Sequence, residues 1–253
     1  MNIGETKKFW NSQAMLGADI GMQDVIAKQL EIRAISSYVE DGMRILDAGC
    51  GSGATALDIA SRFNVDILAI DYAGEMVRTA RRLAQGQELK GRVTFRTGNV
   101  LQPKRKWGWF DLIYTERTII NLTTWEEQKR AITNLIGLLK PGGIYVMCEN
   151  SQDGLDSINR MREKIGIYAV EPPWHNRYIR DSEIAKSGMD SILYDYSAGY
   201  YFLSRVVNAY AAMCEERDPE YDSHINRLAL YLEPRGDYPI RGQGNIWTWR
   251  RGD

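Results

Sequence analysis

The chain has little cysteine, little proline and almost no histidine: three, seven and two residues among 253. The isolated cysteines, Cys50, Cys148 and Cys214, form neither a disulfide framework nor a C-x-x-C metal site. No metal is therefore expected, and a reducing, cytoplasmic compartment is. Charge of one sign is missing as well. Acidic and basic residues number 33 and 32, so the totals lack the basic excess of a nucleic-acid-binding protein. Long hydrophobic runs are absent: no stretch reaches the ~18 apolar residues of a membrane span, and the N-terminus lacks a signal-peptide core. Neither nucleic acid nor membrane is an expected partner. Internal repeats and low-complexity tracts are also missing. With 44% hydrophobic residues, the length suits one large domain or a domain plus a cap.

Against these absences, glycine is concentrated at one place. Residues 44–57, RILDAGCGSGATAL, begin as a short buried strand and end as a helix. Between them Gly49, Gly51 and Gly53 stand at alternate positions, letting the backbone take φ > 0 and a ligand press on the peptide. The helix beyond offers unpaired N–H groups and a positive dipole end, which suits a carboxylate or a phosphate. Gly49, Gly51 and Ala54 satisfy the dinucleotide pattern, a weak signal by itself. Asp47, two residues before the first glycine, decides between ligands: a fixed carboxylate repels a diphosphate and welcomes an ammonium. The ligand called for has an amino acid end.

Asp47-Ala48-Gly49-Cys50-Gly51-Ser52-Gly53 resembles motif I of class I S-adenosylmethionine (SAM)-dependent methyltransferases. In that family the loop wraps the methionine part of the cofactor, which implies cofactor contacts from Asp47, Ala48, Gly49, Gly51 and Gly53. Asp71 ends a second apolar strand about 20 residues past the glycines, a spacing that suits a carboxylate accepting the ribose hydroxyls. The alternative is that Asp71 caps the next helix. Tyr72 follows it, and Met76 either covers the adenine face or packs into the core. Residues 92–100 resemble the family's third strand, whose end reads the adenine amine, here Asn99 and Val100. Residues 110–115 and 139–147, the latter with a Pro-Gly-Gly turn, complete five elements in the family's order. The resemblance covers residues 40–150 closely and the remainder loosely. It implies an α/β, Rossmann-like, seven-stranded and mostly parallel sheet with helices on both faces, an antiparallel last strand and helical cap insertions.

The expected organisation is an N-terminal helical lid over residues 1–40, with an amphipathic helix across 22–39, and a SAM-binding core over 41–150. Two insertions, 151–180 and 199–240, cover the active site, while 181–198 and 241–253 complete the sheet. The alternation of strand and helix places ligands at the carboxyl ends of the strands. Thr115 is among these strand-end residues as a cofactor contact. Arg117 beside Glu116 either binds an anionic substrate or only ties its loop down. Arg33 could bridge the cofactor's carboxylate or lie on the surface. The loop after strand four lacks the Asn/Asp-Pro-Pro-Tyr of some N-methylating members, which argues against nucleic-acid bases and protein amides as acceptors.

Methyl transfer needs orientation and, for an alcohol, removal of a proton. His175, between Trp174 and Asn176 in a Pro-Pro segment, is the candidate general base, with Tyr178 beside it. A local structural role for His175 is the alternative. Trp174, Tyr200, Tyr201 and Arg205 are candidates for the acceptor pocket with Arg117, because arginine grips carboxylate and phosphate. The reading is a SAM-dependent methyltransferase for a small anionic metabolite: a phosphorylated or nucleotide-linked sugar, or a carboxylate, methylated at oxygen. N-methylation of a small amine and a SAM-binding protein without turnover stay open. So does the oligomeric state, a homodimer included.

Overall fold

A computed structural model describes residues 3–14, 24–188, 191–234 and 236–252, with the side chains of Ile3 and Arg105 left out. Residues 22–23, the expected start of the amphipathic helix, lie outside the described residues. Seven strands form one sheet in the order β3-β2-β1-β4-β5-β7-β6. They are β1 (Arg44–Ala48), β2 (Asp66–Asp71), β3 (Arg92–Thr97), β4 (Phe110–Glu116), β5 (Leu139–Asn150), β6 (Ile192–Asp195) and β7 (Gly244–Arg250). Strands β1 to β5 pair in parallel, and β7 runs antiparallel to both β5 and β6. This is the Rossmann-like arrangement expected, with its reversed last strand.

The apolar runs become strands because helices cover both faces. Ile45 and Ile67 join one core with helices α2 (Val25–Ser36) and α3 (Ala54–Arg62). Leu46 and Ile113 join the other, under α5 (Trp125–Ile136). Each side chain of this kind contributes about 1.5–3 kcal/mol on full burial. Thr124 caps α5 by accepting from the Glu127 N–H at 3.2 Å, as the Thr-x-x-Glu spacing suggests. Trp247 and Trp249 share the second core, Trp249 stacking on Tyr145 at 5.5 Å. Both are structural.

The remaining helices sit toward the carboxyl ends of the strands. Helix α1 (Ile3–Gln13) rests on the start of α4 (Gly74–Leu83), with Trp10 packed against Ala73 and Met76. Helix α6 (Gln152–Lys164) follows β5, and α7 (Asp181–Lys186) leads back to β6. After β6 one helix runs on: α8 (Ala198–Tyr201), a π-helical turn over Phe202–Val207, then α9 (Asn208–Cys214). Beyond it lie only α10 (His224–Arg227) and a 3₁₀ turn, Leu228–Tyr231. Among the described residues no helix is long and apolar enough to cross a membrane.

Candidate active site

A cavity of about 580 Å³ opens at the carboxyl ends of the parallel strands. One half is built by motif I. Asp47, Gly49, Cys50, Gly51 and Ser52 line it, with Asp71, Tyr72, Met76 and Val100 opposite. Gly49 has φ +101, and a Cβ there would stand 1.9 Å from Thr118 Oγ1. Only glycine lets the loop after β4 lie this close on the first loop. Asp71 accepts from the backbone N–H of Gly51 at 2.9 Å and of Ala73 at 2.7 Å. It therefore ties the two loops together and still faces the cavity with unused lone pairs.

The loop after β4 carries a buried charge network. Lys28 on α2 stands 2.5 Å from Glu116, which also accepts from Thr55 Oγ1 at 2.5 Å. Arg117, at φ +48, stands 3.2 Å from Glu31 and 4.0 Å from Glu116. Burial opposes ionisation of Glu116, but Lys28, Glu31 and Arg117 outweigh it and hold its pKa down at about 2. Burial pushes the Glu31 carboxyl well up. The loop itself hangs on Glu149, whose carboxylate accepts from the N–H groups of Thr118, Ile119 and Ile120 at 3.0, 3.0 and 3.3 Å. Burial raises Glu149 to about 7 against those three bonds.

The other half of the cavity is walled by His175, Asn176 and Tyr178 of residues 151–180, by Tyr201, Arg205 and Tyr221 of residues 199–240, and by Asn150 and Gln243 beside them. Tyr178 accepts from Gln243 Nε2 at 3.1 Å. His175 is boxed by rings, with Phe9 at 4.5 Å, Trp174 at 5.2 Å and Trp10 at 5.5 Å between centroids. Its Nδ1 is buried without a hydrogen-bond partner among the described residues. Trp10 donates from Nε1 to Asn121 Oδ1 at 3.0 Å, so α1 bridges the mouth from the first half to the second.

Residues 45–143 match the family model for a methyltransferase domain. This stretch, about two fifths of the chain, is similar to a SAM-dependent methyltransferase domain. Norajmaline N-methyltransferase of Rauvolfia serpentina is 30% identical over 41% of this chain and 34% of its own. An O-methyltransferase of Pyrenophora dematioidea is 29% identical over 40% of this chain and 37% of its own. The matched stretch is thus little more than a third of either relative. N-methyltransferase NodS of Bradyrhizobium japonicum, solved with S-adenosylhomocysteine (SAH), shares the fold at a TM-score of 0.57, with 13% identity over 98% of this chain and 99% of its own.

The motif I half of the cavity fits SAM, the cofactor of the methyltransferases that this stretch resembles. Asp47 is 2% exposed, and burial pushes its pKa up to about 8. A carboxyl that costly to ionise calls for a cation beside it, which the ammonium of an amino acid end supplies. Asp71 can accept hydroxyl donors, and Met76 and Val100 offer an apolar wall. Lys28, on the helix expected to carry the carboxylate partner, faces this space. Arg33 does not: its Nη1 donates to the Leu230 carbonyl at 3.2 Å on the surface.

The expected site residues divide. Asp47, Gly49, Gly51, Asp71, Tyr72, Met76, Val100, Arg117, His175, Tyr178, Tyr201 and Arg205 line the cavity. Ala48 is buried in the core, Gly53 packs on Phe95, and Thr115 shares a hydrogen bond with Tyr145 at 3.0 Å. Asn99 turns its side-chain oxygen to the Leu101 N–H at 2.9 Å. Trp174 is 54% exposed outside the cavity wall. Tyr200 points away, its hydroxyl donating to Asp24 at 2.5 Å. Arg177 and Arg180 pair with Glu183 and Asp156. Unforeseen were Asp24, Lys28, Glu31, Asn176, Tyr221 and Gln243. The first three recur at i, i+4 and i+7, one face of a helix, so a polar ridge on α2 was the available signal.

Proposed function

We propose that the protein transfers the methyl group of SAM to the hydroxyl of a small anionic acceptor. The observation that carries this reading is one cavity holding both a cationic-ligand end, at Asp47, and an arginine with no acidic partner, Arg205, among the described residues. When bound, the cofactor supplies an electrophilic methyl group on a sulfonium, whose sulfur keeps the electron pair. The chain's own work is to orient, to dry the site and to take a proton. As the oxygen–methyl bond forms, the hydroxyl proton passes to His175. Burial lowers the pKa of His175 below the usual 6.5, which keeps the ring neutral, and so basic, near pH 7. Tyr178 and Tyr201 orient the acceptor, and the rings of α1 exclude water above it. Arg117 takes no direct part in anion binding, because Glu31 and Glu116 already compensate it. The test is label transfer from methyl-labelled SAM to a panel of small hydroxylated acids and their neutral amides. Label in the acids supports the reading. Label only in the neutral amides, or none anywhere, overturns it.

A further inference from the structure

The acceptor half of the cavity is selective about the kind of anion as well as its sign. Arg205 sits in the π-helical turn Phe202–Val207, a distortion that turns its side chain into the cavity. Its Nη1 reaches only the Tyr221 hydroxyl, at 3.4 Å, and its carbon lies 5.3 Å over the same ring. Its Nε is buried without a partner among the described residues. Behind it, the buried Arg162 donates to the carbonyls of Tyr168 and Arg205. Neither arginine meets an acid among the described residues, and Arg205 lines the cavity.

The other cations of the cavity are already spoken for. Lys28 is paired with Glu116, and Arg117 with Glu31. An anion at Arg205 therefore meets one guanidinium fork and, among the described residues of the lining, no second unpaired lysine or arginine. A carboxylate fits: one charge, planar, matched to two parallel N–H donors. A phosphate monoester fits less well, since Lys28 and Arg117 are already paired and leave its second charge without a cation.

Resting on the anionic-acceptor reading above, we propose that the acceptor is a hydroxy-carboxylate, its carboxylate held by Arg205 and its hydroxyl presented to His175. Phosphate esters are disfavoured. The experiment uses the full chain saturated with SAH and three probes: 4-hydroxybenzoate, 4-hydroxyphenyl phosphate and 4-hydroxybenzamide, each titrated by calorimetry or ligand-observed NMR. 4-Hydroxybenzoate is expected to bind about tenfold or more tighter than the other two. Arg205→Gln, accepted as folded if it still binds SAH, should reduce the carboxylate to the level of the amide. Arg205→Lys should recover part of the loss. Phosphate ester binding as tight as the carboxylate, or an unchanged carboxylate affinity in Arg205→Gln, overturns the proposal while leaving an anionic acceptor standing. Amide and carboxylate binding equally, or no saturable binding of the carboxylate, overturns both.

Discussion

Binding of SAH should expel a proton, and the amount follows from Asp47. Burial holds this carboxyl at a pKa of about 8 in the ligand-free protein, so at pH 6.5 more than about nine-tenths of the molecules carry the proton. The ammonium of the ligand, itself protonated at that pH, returns Asp47 to the carboxylate. Close to one proton is then released per ligand bound, and affinity rises about tenfold per pH unit between roughly pH 5 and 8. Above about 8 the rise levels off, because Asp47 is then ionised before the ligand arrives. Calorimetry of SAH binding at pH 6.5 in buffers of different ionisation enthalpy measures the proton count directly. Asp47→Asn keeps the shape, abolishes the release, and weakens binding about ten- to a hundredfold through loss of a charge-assisted bond. Tight binding of SAH with no proton release in the unaltered protein would refute the pairing of Asp47 with the ammonium.

Three further outcomes test other parts of the site. Burial puts the pKa of His175 below 6.5, and the neutral ring is the base, so kcat/KM with a methylated acceptor should rise through a midpoint below pH 6.5 and then level off. His175→Ala should remove that limb and cost about 10²–10⁴-fold in kcat with little change in KM; a limb that survives assigns the proton to another group. Gly49→Ala, forced against Thr118 at 1.9 Å, should abolish SAH binding, as equilibrium dialysis would show. Glu116→Gln leaves Lys28 without its buried carboxylate and should cost about 3–5 kcal/mol in urea unfolding at pH 7. The pH sign follows: Glu116, held at about 2 in the fold, stabilises above its ordinary 4.5, and that contribution fades as pH falls toward 2.

Local chemistry made the core of the fold legible. Glycines at a bend, an acid before them and apolar runs of strand length are properties of neighbouring residues, and they placed β1 to β5 and the cofactor end of the cavity. What escaped depends on residues far apart in the chain. Arg117 could not be assigned between substrate and loop until α2 brought Glu31 to 3.2 Å from it. Tyr200 and Tyr201 differ by one step of a helix, about 100° of rotation, and only the tertiary setting shows that Tyr201 faces the cavity while Tyr200 turns to Asp24. The π turn carrying Arg205 leaves no mark in hydrophobic spacing, since its extra residue breaks the 3.6 period that would reveal a helix. Trp174 reads as a pocket residue by its neighbours, yet the Pro-Pro segment turns it outward and brings His175 in.

The most direct test of the account is a side-by-side titration of the purified full chain with SAH and with a nicotinamide dinucleotide. The account predicts saturable 1:1 uptake of SAH and no saturable uptake of the dinucleotide. Binding of the dinucleotide with no uptake of SAH would contradict it.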